Sequence, residues 1–199
     1  MASPVKISKD NTRGFMAALA ALAENRVYAG VPATTAGRKE EGTPLNNAEL
    51  MFIHENGAPE ANIPARPVVN PAIEHAQPEL TAALAATAKS AFDKGPDGVM
   101  KGFDAVGLIA QNAMRARITT GPFAPLSPKT IAQRAAKRGT KRRKSETKYL
   151  ELVKGGMAPS EAQAAAGIKP LIDTGQLRRA LTYVVRKVRW AAKKAKLGG

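Results

Sequence analysis

HENGAPEANIPARPVVNPAI, residues 54–73, lies between a short helical pattern and a long one, and its composition decides how the two are joined. Gly57 follows the first pattern as a residue free to take positive φ and end a helix. Pro59, Pro64, Pro67 and Pro71 fix four φ angles and push Ala58, Ile63, Arg66 and Asn70 toward extended backbone. Such a segment loses little entropy on ordering, so it reads as a stiff, extended arm or a rigid connector rather than a floppy loop. Arg66, held between Ala65 and Pro67, is expected to anchor the arm. Its expected acceptor is a carboxylate or a backbone carbonyl, within the chain or across to a neighbour; the alternative is a solvent-facing arginine.

Upstream of the arm, residues 13–25 predict a helix with Phe15, Leu19 and Leu22 on one face. Residues 27–31 predict a short strand, and 32–45 a mobile, exposed loop. Residues 46–56 form a helix whose Asn46 and Glu49 make a capping box. His54 beside Glu55 is not the HExxH metal motif, because Ala58 stands where the second histidine belongs. It reads as a packed histidine or a helix C-terminal cap.

Downstream, Asn70 and Pro71 suit the N-cap and first position of a long helix. Leu80, Leu84, Thr87 and Ala91 keep helical spacing, and Pro78 predicts a kink or a restart near Gln77. KGPDG (94–98) is a turn into a second helix over 97–118, so two antiparallel helices are expected, with Gly107 packed closely on the first. Residues 121–128 form a second proline-rich connector, and Ser127 and Pro128 open another helix that stops at Gly139. Tyr149, Leu152 and Val153 mark one short helix and 159–166 another. Asp173 with Gln176 is a second capping-box candidate, and 181–190 alternate as a strand that would pair with 27–31. Residues 191–199 are a basic tail, expected to fray.

Charge is distributed unevenly. Residues 1–133 carry 13 Lys+Arg and 12 Asp+Glu, residues 134–199 carry 18 and 4, so +14 of the net +15 lies in the last third. Arg134, Lys137, Arg138, Lys141, Arg142, Arg143, Lys144 and Lys148 crowd one run, and Arg186, Lys187 and Arg189 follow near the end. Such asymmetry calls for a polyanionic neighbour, nucleic acid or an acidic protein surface, or else serves solubility.

Chemistry is conspicuous by what is missing. There is no cysteine, hence no disulfide or thiolate metal site. The sequence holds no phosphate-binding glycine loop, no nucleophile motif and no helix-turn-helix signature, and its 5% aromatic content is sparse for a single-strand binder. No run approaches the roughly 18 apolar residues of a membrane span, and the N-terminus lacks the order of a signal peptide. The expectation is a soluble, non-enzymatic protein with no catalytic, cofactor or metal residues.

Three ordered segments carry a resemblance. HENG followed by IPARPVVNPAI (54–73), then APLSPKT (124–130), then PLIDTGQLRRAL (170–181), together with VYAGVP (27–32), are similar to segments of the tail-completion and head–tail joining proteins of tailed bacteriophages. These include the virion-morphogenesis proteins of Mu-like prophages. The resemblance implies a structural virion protein at the neck, working as a homo-oligomeric ring that contacts other neck and tail proteins, with genome DNA in its lumen. A tail terminator and a sequence-nonspecific DNA-binding protein are the rival expectations. Relative to that family, 139–169 is an insertion.

The expected architecture is therefore α+β, with a small, mainly antiparallel sheet of 27–31 and 181–188 packed on long helices, plus the proline-rich extended arm. Residues 1–190 would form one domain with a basic helical insertion at about 139–169.

Overall fold

The computed structural model describes residues 12–38, 45–136 and 143–188. The fold is α+β, mostly helical, with one two-stranded antiparallel sheet. The described residues gather into two compact units, each built from separate stretches of chain: unit 1 from 12–29, 76–111 and 183–188, unit 2 from 30–38, 45–75, 112–136 and 143–182.

Helix α1 (Thr12–Glu24) leads into strand β1 (Asn25–Gly30). Helix α2 (Asn47–Asn56) has the expected capping box: Asn46 Oδ1 accepts from the Ala48 and Glu49 N–H groups, and Glu49 Oε2 accepts from the Asn46 N–H. Gly57 ends it at φ 76°, with its N–H on the Ile53 carbonyl. The proline segment then closes on itself. Ala58 and Ile63 exchange two backbone hydrogen bonds, of 2.9 and 3.0 Å, around a 3-10 turn over Pro59–Ala61. Only after this turn does the chain run extended, and the Arg66 N–H ties it back to the His54 carbonyl at 2.6 Å.

Helix α3 (Val69–Thr120) is two helical arms joined at Gly95, whose φ of 62° and ψ of −149° break the helix inside KGPDG. Gly98 lies against Ser90 and Gly102 against Thr87, pairs whose numbers sum to nearly one value, so the arms are antiparallel. Of the two alternatives at Pro78 the restart is absent, and the expected cap at Asn70 fails. The helix passes through Pro78 without a restart, its one non-helical residue being Gly95. Asn70 is not the cap either, because the helix begins one residue earlier and Glu55 of α2 supplies the acceptor. The Glu55 carboxylate takes the N–H groups of Val68 (2.7 Å), Val69 (2.9 Å) and Asn70 (3.2 Å). A carboxylate at a helix N-terminus satisfies orphan donors and faces the positive end of the dipole.

In unit 1, α1 buries Ala18 against Ala91, Val99 and Phe103 of the two arms, with Val27 and Val185 packed around them. Strand β2 (Thr182–Lys187) pairs with β1, and the Val188 N–H reaches the Glu24 carbonyl at 2.6 Å. That bond sets the register: Val27 faces Val185 toward the helices, and Arg26 faces Arg186 on the exposed side. Gly107 makes a close approach, but to a different neighbour from the one expected. A Cβ there would strike the ring of Tyr183 on β2, and Gly102 is the glycine that meets the preceding arm.

In unit 2, α4 (Pro128–Ala136), α5 (Arg143–Lys154) and α6 (Pro159–Ala166) bury Ile131, Tyr149, Ala162 and Ala166 together with Leu126 of the connector. Ser127 Oγ accepts from the Thr130 N–H at the start of α4, as its sequence predicts. The buried amide of Gln163 bonds both the N–H and the carbonyl of Leu126 at 2.8 Å, satisfying four polar atoms at once. Helix α7 (Gln176–Ala180) is short, as expected, but its N-cap is Gly175 at φ 77° and not Asp173. The 32–45 loop is also more fixed than predicted. Thr35 Oγ1 donates to the Ala180 carbonyl and the Asn47 N–H to the Ala36 carbonyl, while 39–44 lie outside the described residues.

Candidate functional site

Arg66 is buried to 5% exposure, and its acceptors are two backbone carbonyls of the same chain: Nε donates to Ala124 O (2.8 Å) and Nη2 to Pro125 O (2.9 Å). The extended backbone between Ala65 and Pro67 aims it there. Arg134, on the last turn of α4, does the same to the segment before α7, donating to the carbonyls of Pro170 (2.7 Å), Lys169 (3.3 Å) and Ile172 (3.4 Å). The planar fork of a guanidinium suits such paired acceptors, and each bond from a charged donor stabilises by about 1.5–3 kcal/mol.

These contacts bring together the three stretches 54–73, 124–130 and 170–181, which are far apart in sequence. Arg66 joins the first to the second, and Arg134 joins the helix opened by the second to the third. Between them stands His54. Its Nδ1 is buried without a hydrogen-bond partner, and its pKa is lowered to about 4 by burial first, then by Arg66, Arg134 and Arg38. It is a packed, neutral histidine near neutral pH, one of the two roles its sequence suggests. Burial, with Arg134 nearby, also lowers the pKa of Arg66.

The remaining basic candidates divide by what they touch. Lys148 donates to the Ala165 carbonyl at 3.0 Å, near the end of α6. Lys187 pairs with Glu24 at 2.6 Å. Lys144 and Arg186 are exposed. Arg143 opens α5, its side chain beyond what is described. Lys137, Arg138, Lys141, Arg142 and Arg189 lie outside the described residues. Thus several residues that a charge count assigns to a polyanion are engaged in holding the fold. Arg115, which no motif singles out, belongs with them: its Nε and Nη2 donate to the Leu181 carbonyl at 3.1 and 2.7 Å.

Unit 1 has a different surface. Phe92 (61% exposed) stacks on Phe15 at 5.3 Å between ring centroids, Met16 is 59% exposed, and Leu19, Tyr28, Leu84, Met100 and Leu108 are exposed as well. Each strand of the sheet has one neighbour among the described residues, leaving an open edge on each. Tyr183 on β2 donates to Asp104 at 3.4 Å; desolvation and then that carboxylate push its pKa up.

Among the described residues no three His, Asp or Glu side chains are placed to hold a metal ion, and no helix is long and apolar enough to cross a membrane. No family model, no curated protein and no solved structure matches the chain.

Proposed function

We propose that this chain is a structural component of a tailed-phage virion, a neck or tail-completion protein whose copies form a ring joining tail to head. The observation that carries the reading is the convergence just described. The segments that carry the family resemblance are scattered over more than a hundred residues, yet Arg66 and Arg134 fasten them into one module. Unit 1 adds the means of association: two open strand edges and a set of exposed apolar side chains, which a ring of heterologous contacts would cover.

The exposed cations open to DNA or an acidic neighbouring ring include, among the described residues, Lys144 in unit 2 and, separately, Arg186 opposite Arg26 in unit 1. Binding there is sequence-blind and weakens with salt, by about 0.9 log units per log unit of salt for each phosphate neutralised.

The test is genetic and structural. Deleting the gene in the phage that carries it should leave DNA-filled heads and free tails that do not join, and the purified protein added back should restore joined particles. Its absence from purified virions, or normal joining without it, overturns the reading. If the isolated protein binds duplex DNA tightly and joining is unaffected by its loss, the DNA-binding alternative takes its place.

A further inference from the structure

Arg117, near the end of the second arm of α3, differs from the other half-buried or buried arginines of unit 2. Arg38, Arg66, Arg115 and Arg134 each donate to an oxygen of the chain. The Arg117 side chain has no hydrogen bond and no ion pair among the described residues, and its Nε is buried without a partner. The chain itself covers Nε, so the two Nη groups, neither buried nor bonded among the described residues, are the donors left for a partner.

Its surroundings hold it in place. The guanidinium carbon sits 5.4 Å from the centroid of the Phe123 ring, a cation–π distance. Gly121 gives it room: a Cβ there would come within 2.9 Å of both Cδ and Nε of Arg117. The residue lines a cavity of about 490 Å3 whose other walls include Ala72, Ala113, Ala116 and Pro122. The space is much larger than one ion. His75 and Glu74 also line it, and both are exposed.

We infer that this cavity is a docking site for an acidic peptide segment of a partner protein, one carboxylate on Arg117 and its apolar neighbours against the alanine and proline wall. The fork of Arg117 matches a carboxylate, and prior fixation by Phe123 and Gly121 lowers the entropic cost of binding. Glu74 restricts the choice. A second negative charge meets its carboxylate, which disfavours polyphosphates and nucleic acid and leaves a single carboxylate as the fitting ligand. The inference does not rest on the head–tail reading.

The probe is a fluorescein-labelled pentapeptide, blocked at its ends, with leucines flanking a central glutamate; its control has glutamine there. Fluorescence anisotropy on the full chain should show the glutamate peptide binding roughly tenfold more tightly, the scale of one charge-assisted contact. Arg117→Gln should remove that preference and lower the melting temperature only slightly, since the cation–π contact with Phe123 is lost but no internal hydrogen bond. Arg117→Lys should keep part of the preference, and Lys129→Gln, on the exposed face of α4, all of it. Equal affinity for the two peptides, or a preference that survives Arg117→Gln, overturns the inference. So does displacement of the peptide by inorganic phosphate as effectively as by unlabelled glutamate peptide, which would make this a bare anion site.

Discussion

Unit 1 and unit 2 are held together by different means. In unit 1 the contacts are close and apolar: Ala18 against Ala91, Gly102 against Thr87, Gly107 beneath the Tyr183 ring. Unit 2 has long irregular stretches, and cations hold them: Arg66 grips 124–125, Arg134 grips 169–172, Arg115 grips 181. The difference teaches what a positive composition can be for. Connectors rich in proline cannot satisfy their carbonyls through helix or sheet, and an arginine supplies donors without requiring regular backbone.

The comparison can be broken first at Arg66. Arg66→Ala removes two charge-assisted bonds and leaves two carbonyls unmatched, so a loss of roughly 3 kcal/mol or more in denaturant unfolding is expected. The same loss applied at Arg186, exposed on the sheet, should be under about 0.5 kcal/mol. Equal effects at the two sites would dissolve the distinction between holding and surface cations.

His54 sharpens it through pH. Its native pKa is about 4, against 6.5 for the unperturbed group. The native state therefore binds its proton less readily than the unfolded chain, and stability falls as pH drops from 6.5 toward 4, then levels. The loss attributable to His54 is on the order of 2–3 kcal/mol. His54→Gln should remove that slope, measured as the urea midpoint at pH 7 and pH 4.5. Arg66→Ala should flatten part of it, by lifting one of the charges that hold the pKa down.

In unit 1 the corresponding test is steric. Gly107→Ala should cost about 1–3 kcal/mol by forcing a methyl group into the Tyr183 ring. Adding Tyr183→Leu should return part of that loss, whereas the same addition to wild type should destabilise. A smaller loss, about 1 kcal/mol from the lost cap, is expected of Asn46→Ala at the start of α2.

Local patterns were the legible part of this chain. The capping box at Asn46 and Glu49, the turn at Gly57, the break within KGPDG and the helix over 159–166 all follow from residues within a few positions of one another. The pairing of the two terminal strands was the distant contact that alternation alone suggested. What escaped was the identity of other distant partners. The cap of α3 comes from Glu55, 13–15 residues before the groups it serves, so the nearby Asn70 looked sufficient. Gly107 announced a close approach but could not say that β2 was the neighbour. Of the candidate site, Arg66 was legible as an anchor because proline restraint marks its backbone. Its acceptors were not, since a free carbonyl leaves no trace in residue identity. Arg117 carried no signal at all, because its distinction is the lack of an acceptor.

The Glu55 cap also bears on the order in which the chain organises. Helix α2, the closed turn at Ala58 and Ile63, and the first turn of α3 are joined by contacts spanning no more than 15 residues. Closing loops of that length costs little chain entropy, and such contacts form early. Emerging from a ribosome, residues 46–72 have every partner for this corner before residue 73 is added. The Ala124 and Pro125 carbonyls that Arg66 takes up arrive more than fifty residues later, and they meet an arginine whose backbone is already set.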